Sequence, residues 1–175
     1  TTAANFFHAL RRQLSWPFRK PLIVFSPKAI LRHPGTYSTV EEFTNGGFKE
    51  VIDDSFVKDA GKVKKVLFCS GKIYYDMAER QQKENRDDIA IVRLEQLYPL
   101  PYKQIEDLYK KYNKATWFWI QEEPLNMGAA SYLQMNLKSI NYGVISRQPS
   151  ASTATGYNKI HQQEQAEIIE TAFSI

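Results

Sequence analysis

Three runs of almost uninterrupted apolar residues constrain the fold of this chain more than any other feature. They occupy residues 65–69, 89–94 and 116–121, and each has the length of a single strand. Segments with helical spacing separate them. Continuously apolar strands that alternate with helices are typical of a parallel sheet with both faces covered. The sequence therefore predicts an α/β domain with a mainly parallel sheet flanked by helices.

Three further apolar stretches extend this pattern, and a helix with a basic side precedes it. Strands are predicted at residues 21–25, 49–52, 65–69, 89–94, 116–121 and 143–147. Helices are predicted at residues 3–14, 72–84, 102–112, 127–140 and 159–173, with one helical turn at 27–32. Residues 35–47 show no sustained period and contain an Asn-Gly-Gly turn signal, which predicts a surface linker.

Length and composition indicate an ordinary globular protein. The 175 residues are 43% hydrophobic and 24% charged, which is enough to bury one core. No apolar run approaches the roughly 20 residues that span a bilayer, and the first residues lack the pattern of a signal peptide. We therefore expect no membrane partner and a cytoplasmic or equivalent compartment. The single cysteine, Cys69, lies in an apolar run and is expected to be a buried structural thiol.

The positive charge is concentrated near the start of the chain. Residues 1–40 contain six arginines and lysines and no acidic residue, whereas the whole chain has a formal net charge of +4. Such a block could meet nucleic acid, an anionic cofactor or an acidic protein surface. Nucleic acid is the least supported of these, because the sequence contains no RNA- or DNA-binding motif.

Two polar groups follow predicted strands. Ser70, Gly71 and Lys72 lie between a strand and a helix, where free backbone N–H groups and a lysine could hold a phosphate. The segment lacks either glycine-rich phosphate-binding motif, so a plain helix start with a surface lysine is the competing interpretation. Arg93 and Glu95 lie at the end of the next strand and are interpreted as a structural ion pair.

Two adjacent carboxylates end the most aromatic strand, in the segment WFWIQEEPLNMGA at residues 117–129. Glu122 and Glu123 could act as general acid and base if their surroundings separated their pKa values. Side chains of consecutive residues often diverge, so an interface, rim or capping role is favoured. No catalytic residue is predicted. The three histidines, His8, His33 and His161, are far apart in sequence, and no metal site is predicted.

Six ordered blocks, which together run nearly end to end, carry a resemblance to a known family. They are FFHALRRQ at 6–13, RKPLIVFSPKAILRHP at 19–34, CSGKIYYDMAER at 69–80, IAIVRLEQLYPLP at 89–101, WIQEEPLNMGA at 119–129 and SASTATGYNKIHQQEQ at 150–165. The chain resembles the C-terminal region of the thiamine-diphosphate-dependent first component of 2-oxoglutarate dehydrogenase. Relatives that act on 2-oxoadipate share much of this pattern.

The resemblance implies a transketolase C-terminal type of fold, with an N-terminal helix and strap before the sheet. Residues 1–20 then correspond to the tail of a preceding pyrimidine-binding domain and its linker, and residues 21–175 to the C-terminal domain. In this family, thiamine diphosphate and Mg²⁺ are bound by earlier domains that this chain does not include. We therefore expect no cofactor in this chain and no turnover by it alone.

The family reaction is oxidative decarboxylation of 2-oxoglutarate in the tricarboxylic acid cycle, with succinyl transfer to the lipoyl group of the second component. The implied partners are a second subunit of a homodimer, the preceding domains and dihydrolipoamide succinyltransferase. Some members bind acetyl-CoA near the domain junction. The matching positions here are Arg11, Arg12 and Arg19, with Ser70 and Lys72 as a possible further wall.

Two alternatives stay open. The arginines could instead form salt bridges to the preceding domains, and the chain could be a free-standing module that binds a nucleotide or a partner. The compartment implied by the resemblance is the bacterial cytoplasm, or the mitochondrial matrix in a eukaryote.

Overall fold

The computed structural model describes residues 1–174, which divide into two compact units. The first unit is Thr1–Glu50 and the second begins at Val51. The first unit contains two α-helices and two short 3₁₀ helices. They are α1 (Ala3–Ser15), 3₁₀ helices at Lys28–Arg32 and Pro34–Thr36, and α2 (Val40–Thr44). The predicted domain boundary after residue 20 stays a prediction.

Side-chain caps set the starts of both helices in the first unit. The Thr2 hydroxyl accepts a hydrogen bond from the Asn5 N–H at the start of α1. At α2, Thr39 and Glu42 form a reciprocal capping box. This helix lies within residues 35–47, so the segment predicted as a surface linker contains one short regular helix. The Thr-x-x-Glu spacing at 39–42 was the sequence signal for it.

Buried polar side chains of α1 hold the first unit together. The Asn5 amide donates to the Lys49 carbonyl at 3.2 Å and accepts from the Lys49 N–H at 2.7 Å. His8 hydrogen-bonds through Nε2 to the Glu42 carbonyl oxygen at 2.7 Å. Both side chains are buried. The last residues of the unit are therefore fastened to its first helix by polar contacts rather than by a large apolar core.

The strand predicted at residues 21–25 is absent from the described structure, so this prediction was wrong. Its apolar and β-branched composition suits a strand, but a strand also needs a hydrogen-bonding neighbour. No strand of residues 1–174 pairs with it. Ile23 and Phe25 are instead 75% and 92% exposed. The helical turn predicted next to it is confirmed as the 3₁₀ helix at Lys28–Arg32.

The second unit is a five-stranded sheet with helices on both faces. Its elements are β1 (Val51–Ile52), a 3₁₀ helix at Ala60–Lys62, β2 (Lys65–Cys69), α3 (Ile73–Lys83), β3 (Ile89–Leu94), α4 (Tyr102–Lys111), β4 (Thr116–Pro124), α5 (Ala130–Asn136), β5 (Tyr142–Arg147) and α6 (Asn158–Phe173). The strand order is β1-β3-β2-β4-β5. The predicted α/β class is confirmed.

The four longer strands of the sheet run parallel. Leu67 of β2 lies opposite Ile91 of β3 on one side and Phe118 of β4 on the other. β4 continues the parallel arrangement to β5, with a register shift between Ile120 and Pro124. Only the two-residue β1 is antiparallel, against β3. The mainly parallel sheet follows from the helical crossovers between consecutive strands.

Alternating side chains of the sheet enter two separate cores. Val66 and Phe68 of β2 face the core that α4 and α5 cover, together with Trp117 and Trp119 of β4. Leu67 and Cys69 face the opposite core, which α3 and α6 cover. Both faces are therefore buried, as the uninterrupted apolar runs predicted.

Asp54 fastens the segment after β1 to the centre of the sheet. Its Oδ1 accepts hydrogen bonds from the Phe56 and Val57 N–H groups at 2.6 and 2.8 Å. Its Oδ2 accepts from the Ile91 N–H at 2.7 Å and from the Gln81 side-chain amide at 2.8 Å. One carboxylate thus joins the loop, β3 and α3.

A close approach between β4 and β5 gives a first stability prediction. Gly143 lies opposite Phe118, and a Cβ there would sit 2.8 Å from Phe118 Cδ1. We expect Gly143→Ala to lower the free energy of unfolding by about 1 to 3 kcal/mol, because the ring must move in a packed sheet. Urea denaturation measures this. Adding Phe118→Leu should recover part of the loss, and equal losses in the presence and absence of Phe118→Leu would contradict the proposed clash.

Candidate functional site

The loops that follow β2 and β4 meet at the carboxyl edge of the sheet. From β2 the chain passes to β3 on one side, and after β3 it crosses to β4 on the other side of β2. Neighbouring connections therefore leave β2 and β4 in opposite directions, which opens a crevice at their carboxyl ends. Of the predicted residues, Ser70 and Lys72 lie in the loop after β2, and Glu122 and Glu123 lie at the end of β4.

Lys72 and Glu122 form an ion pair across this edge. Lys72 Nζ lies 2.9 Å from Glu122 Oε1 and 3.2 Å from Asp76 Oδ2. The Gln165 amide of α6 donates to both carboxylates at 2.9 Å. Partial burial acts to lower the pKa of Lys72, but the hydrogen bond and charge of Glu122, with Asp76, outweigh it and raise the pKa above its ordinary value. Lys72 is therefore a cation that is fixed in place by the carboxylates of Glu122 and Asp76.

This arrangement predicts a dependence of stability on Lys72 and on alkaline pH. The pKa of Lys72 is higher in the folded than in the unfolded chain, so its contribution is complete below pH about 10 and is lost as the pH rises through the folded value. We expect Lys72→Met to lower the free energy of unfolding at pH 8 by about 1 kcal/mol, since water screens part of the pair.

Urea denaturation between pH 8 and pH 11 measures the difference in the free energy of unfolding between the parent chain and Lys72→Met. This difference should become smaller as the pH rises towards 11. The exposed Lys138, replaced by Met, is the matched control and should leave stability unchanged at every pH. A difference that is absent at pH 8, or that stays constant through pH 11, would contradict the ion pair.

Gln121 organises the turn after β4 from a buried position. Its Oε1 accepts hydrogen bonds from Trp119 Nε1 at 2.9 Å and from the Ala130 N–H at 3.0 Å. Its amide donates to the carbonyls of Glu123, Pro124 and Met127 at 3.3, 3.1 and 2.8 Å. Five hydrogen bonds from one side chain therefore fix both the end of β4, which carries the two glutamates, and the turn that follows it.

The turn also explains why the next helix is short. A helix was predicted over residues 127–140, but α5 covers only Ala130–Asn136, so the predicted limits were wrong. Gly128 has a φ of +65°, outside the helical region. Gln121 accepts from the Ala130 N–H, which places the first helical residue. Sequence periodicity alone did not reveal this cap.

Glu122 and Glu123 have different surroundings. Glu122 is engaged by Lys72 and Gln165. The exposed Glu123 has no ion pair or hydrogen bond from its carboxylate to any residue of 1–174. An added Cβ at Gly128 would lie 3.1 Å from Glu123 Oε2, so this carboxylate folds over the turn. The interface or rim role of the two glutamates stays a prediction.

A cavity of about 420 Å³ opens between these loops. Gly71 borders it after β2, and Glu123 and Trp119 border it on β4. Tyr132 of α5 and Tyr98 of the loop after β3 complete its aromatic side. This crevice lies within the second unit and combines aromatic side chains with one carboxylate.

Arg93 and Cys69 lie on the opposite face of the same edge. Arg93 Nη1 is 3.8 Å from Glu95 Oε1, and its guanidinium carbon lies 4.1 Å from the centre of the Tyr74 ring. The predicted ion pair is therefore present as a long, buried contact. Cys69 is fully buried, as predicted, and burial raises the pKa of its thiol far above the ordinary range. This disfavours the reactive thiolate.

Arg147 forms a second polar cluster at the end of β5, which the sequence interpretation missed. It pairs with Glu164 Oε2 at 3.1 Å and donates to Thr155 Oγ1 at 3.0 Å and His161 Nδ1 at 2.9 Å. Thr155 lies in the small polar segment before α6, and His161 and Glu164 lie on α6. The cluster fastens that segment to the helix.

The predicted effector residues are divided between the two units. Arg11, Arg12 and Arg19 lie in the first unit, whereas Ser70 and Lys72 lie in the second. Arg11 contacts His8 Nδ1 at 3.2 Å, and Arg19 donates to the Trp16 carbonyl at 2.7 Å. The guanidinium carbon of Arg12 lies 4.0 Å from the centre of the Phe48 ring. Their role as an effector site stays a prediction.

The histidines take part in hydrogen bonds within their own neighbourhoods. Besides His8 and His161, His33 accepts from the Gly35 N–H at 3.1 Å. Within residues 1–174, no three His, Cys, Asp or Glu side chains come together in a way that could hold a metal ion. In the same part of the chain, no helix is long and apolar enough to cross a membrane.

Comparison with known proteins gives consistent matches along the chain. The model of the family described as 2-oxoglutarate dehydrogenase C-terminal matches residues 37–173. A probable 2-oxoadipate dehydrogenase complex component E1 homolog from Dictyostelium discoideum is 42% identical over 99% of this chain and 20% of that protein. The mitochondrial 2-oxoglutarate dehydrogenase of Caenorhabditis elegans is 44% identical over 100% of this chain and 18% of its own length.

A bacterial relative shows the same extent of similarity. The 2-oxoglutarate dehydrogenase E1 component of Haemophilus influenzae is 41% identical over 99% of this chain and 19% of that protein. The chain thus spans about a fifth of the length of the curated relatives that it matches.

Proposed function

We propose, from the premise that this chain belongs to the 2-oxoglutarate dehydrogenase C-terminal family, that the whole protein oxidatively decarboxylates a 2-oxo acid. The substrate is 2-oxoglutarate, and the product succinyl group passes to the lipoyl group of a dihydrolipoamide succinyltransferase in the tricarboxylic acid cycle. The observation that carries this proposal is 41% to 44% identity to two 2-oxoglutarate dehydrogenase proteins along essentially the whole chain.

A comparison of two substrates tests this proposal. The whole protein, supplied with thiamine diphosphate and Mg²⁺, is assayed for reduction of an artificial electron acceptor with 2-oxoglutarate and with 2-oxoadipate. We expect a higher kcat/KM for 2-oxoglutarate. A preference for 2-oxoadipate would place the protein beside the Dictyostelium relative instead. Turnover of neither acid would overturn the proposal.

Thiamine diphosphate and Mg²⁺ belong, in this proposal, to parts of the protein outside this chain. Among the residues that the structure describes, no three His, Cys, Asp or Glu side chains come together in a way that could hold a metal ion. Thiamine diphosphate supplies the carbanion chemistry when it is bound. No step of that chemistry is assigned to a residue of this chain.

The contribution of this chain is assembly of the homodimer and support of neighbouring domains. The carboxyl edge suits a supporting role because its charged side chains are largely paired within the chain. Lys72 is held by Glu122 and Asp76, and Arg147 by Glu164. We place the whole protein in the cytoplasm of a bacterium or in the mitochondrial matrix of a eukaryote, since the relatives include both bacterial proteins and proteins named mitochondrial.

An anionic nucleotide, acetyl-CoA, is the proposed effector. Arg11, Arg12 and Arg19 each carry a planar guanidinium group with five N–H donors. Guanidinium groups suit phosphate recognition. Ser70 and Lys72 are the further residues of this proposal.

Isothermal titration calorimetry of acetyl-CoA with the whole protein tests the effector site. We expect acetyl-CoA to bind with measurable heat. Arg12→Ala and Arg19→Ala should each weaken the affinity at least tenfold, because each removes a charge-assisted contact to phosphate. Arg32→Ala, an exposed arginine of the same unit, is the matched control. Absence of heat, or heat that Arg12→Ala and Arg19→Ala leave unchanged, sinks this part of the proposal without affecting the assigned reaction.

A further inference from the structure

The lining of the crevice between the β2 and β4 loops is almost free of charged side chains. Its side chains are apolar, aromatic or uncharged polar, with a single exception. That exception is Glu123, which carries the only formal charge among the described residues that line the cavity. The crevice therefore has a negative electrostatic character and an apolar wall.

The charge of Glu123 is not neutralised by any described residue. Its neighbour Glu122 is paired with Lys72, but the Glu123 carboxylate has no ion-pair or hydrogen-bond partner anywhere in residues 1–174. Lys72 does not line the cavity and is itself held by two carboxylates. An anionic ligand in the crevice would meet an uncompensated negative charge, whereas a cation would neutralise it.

Aromatic side chains surround the same space. Trp119, Tyr132 and Tyr98 line it, and Tyr98 is 81% exposed at its rim. Aromatic rings attract ammonium and guanidinium groups through their quadrupoles, and a nearby carboxylate adds its own Coulomb attraction.

We propose that this crevice binds the lysine or arginine side chain of a partner protein. The charge complementarity with Glu123 selects a cation, and the aromatic wall accommodates the aliphatic stem of a long basic side chain. The exposed Tyr98 at the rim favours a protein as the source of that cation, because tyrosine is enriched where proteins meet. Glu123 and Tyr98 are the residues that contact the cation.

Titration of the 175-residue chain, followed by NMR, tests the inference with three small probes. They are the Nα-acetyl methylamides of lysine, arginine and norleucine. Norleucine has the stem of lysine without its charge. We expect the lysine or the arginine probe to shift the resonances of Tyr98, Glu123 and Tyr132 at millimolar concentration, and the norleucine probe to bind at least threefold more weakly.

Single substitutions at the surface separate recognition from folding. Glu123→Gln should weaken the basic probe about three- to fivefold, and Tyr98→Ala about two- to fivefold. Glu167→Gln, another exposed carboxylate, and Tyr37→Ala, another exposed tyrosine, should have no effect. Equal binding of the norleucine probe, binding that Glu123→Gln leaves unchanged, or resonance shifts located away from the crevice would each overturn the inference.

Discussion

Replacing Gln121 with alanine should lower the free energy of unfolding of the second unit by about 3 to 5 kcal/mol. The substitution removes five hydrogen bonds and leaves Trp119 Nε1 and the Ala130 N–H without their acceptor. Gln121 is only 2% exposed, so water does not readily replace the lost partners. Urea denaturation measures the loss, and the indole N–H resonance of Trp119 should shift at the same time.

Two further variants separate the hydrogen bonds of Gln121 from its shape. Gln121→Glu keeps the size of the side chain but turns a carboxylate towards the carbonyls of Glu123, Pro124 and Met127, and it should be at least as destabilising as alanine. Gln134→Ala, at an exposed position of α5, should stay within about 0.5 kcal/mol of the parent chain. A Gln121→Glu variant as stable as the parent would show that the amide does not hold the turn.

Replacing Asp54 with alanine should have the next largest effect, a loss of about 3 kcal/mol. Its carboxylate accepts four hydrogen bonds, two from the following loop, one from the Ile91 N–H and one from Gln81. Without it, the buried Gln81 amide keeps only its bond to the Ile89 carbonyl, and the Ile91 N–H loses its side-chain acceptor. Chemical denaturation of the chain measures this loss.

The amide variant Asp54→Asn makes the prediction specific to the carboxylate. Either orientation of an asparagine amide turns an NH₂ group towards two N–H donors, so Asp54→Asn should destabilise nearly as much as Asp54→Ala. Asp59→Ala is the control, because exposed Asp59 accepts one hydrogen bond, from the Gly61 N–H. It should cost less than about 1 kcal/mol. An Asp54→Asn variant with parent stability would contradict the four-acceptor arrangement.

The centre of the sheet could be predicted from sequence because its short, continuously apolar runs between helical segments fit buried strands. Residues 65–69 and 89–94 match the observed strands residue for residue. The stretch at 21–25 has the same composition but no hydrogen-bonding neighbour in the described structure, and composition does not reveal whether a neighbour exists. Local periodicity therefore identified strands only where the tertiary fold supplied a partner.

The site was harder to predict because its polar residues act over long sequence separations. The sequence analysis did not single out Gln121, whose side chain points inward and is buried. Glu122 is distinguished from Glu123 by Lys72 and by Gln165, which lies 43 residues away along the chain. Only the packing of α3 and α6 beside β4 decides which glutamate is paired. The sequence placed both carboxylates at a strand end but could not assign their partners.

An activity assay of the 175-residue chain tests the central claim most directly. The chain and the whole protein are compared at equal molar concentration with thiamine diphosphate, Mg²⁺, 2-oxoglutarate and an artificial electron acceptor. If this chain is a supporting C-terminal domain of a larger dehydrogenase, only the whole protein reduces the acceptor. Substrate-dependent reduction by the chain alone would contradict that claim and return Glu122 and Glu123 to consideration as catalytic residues.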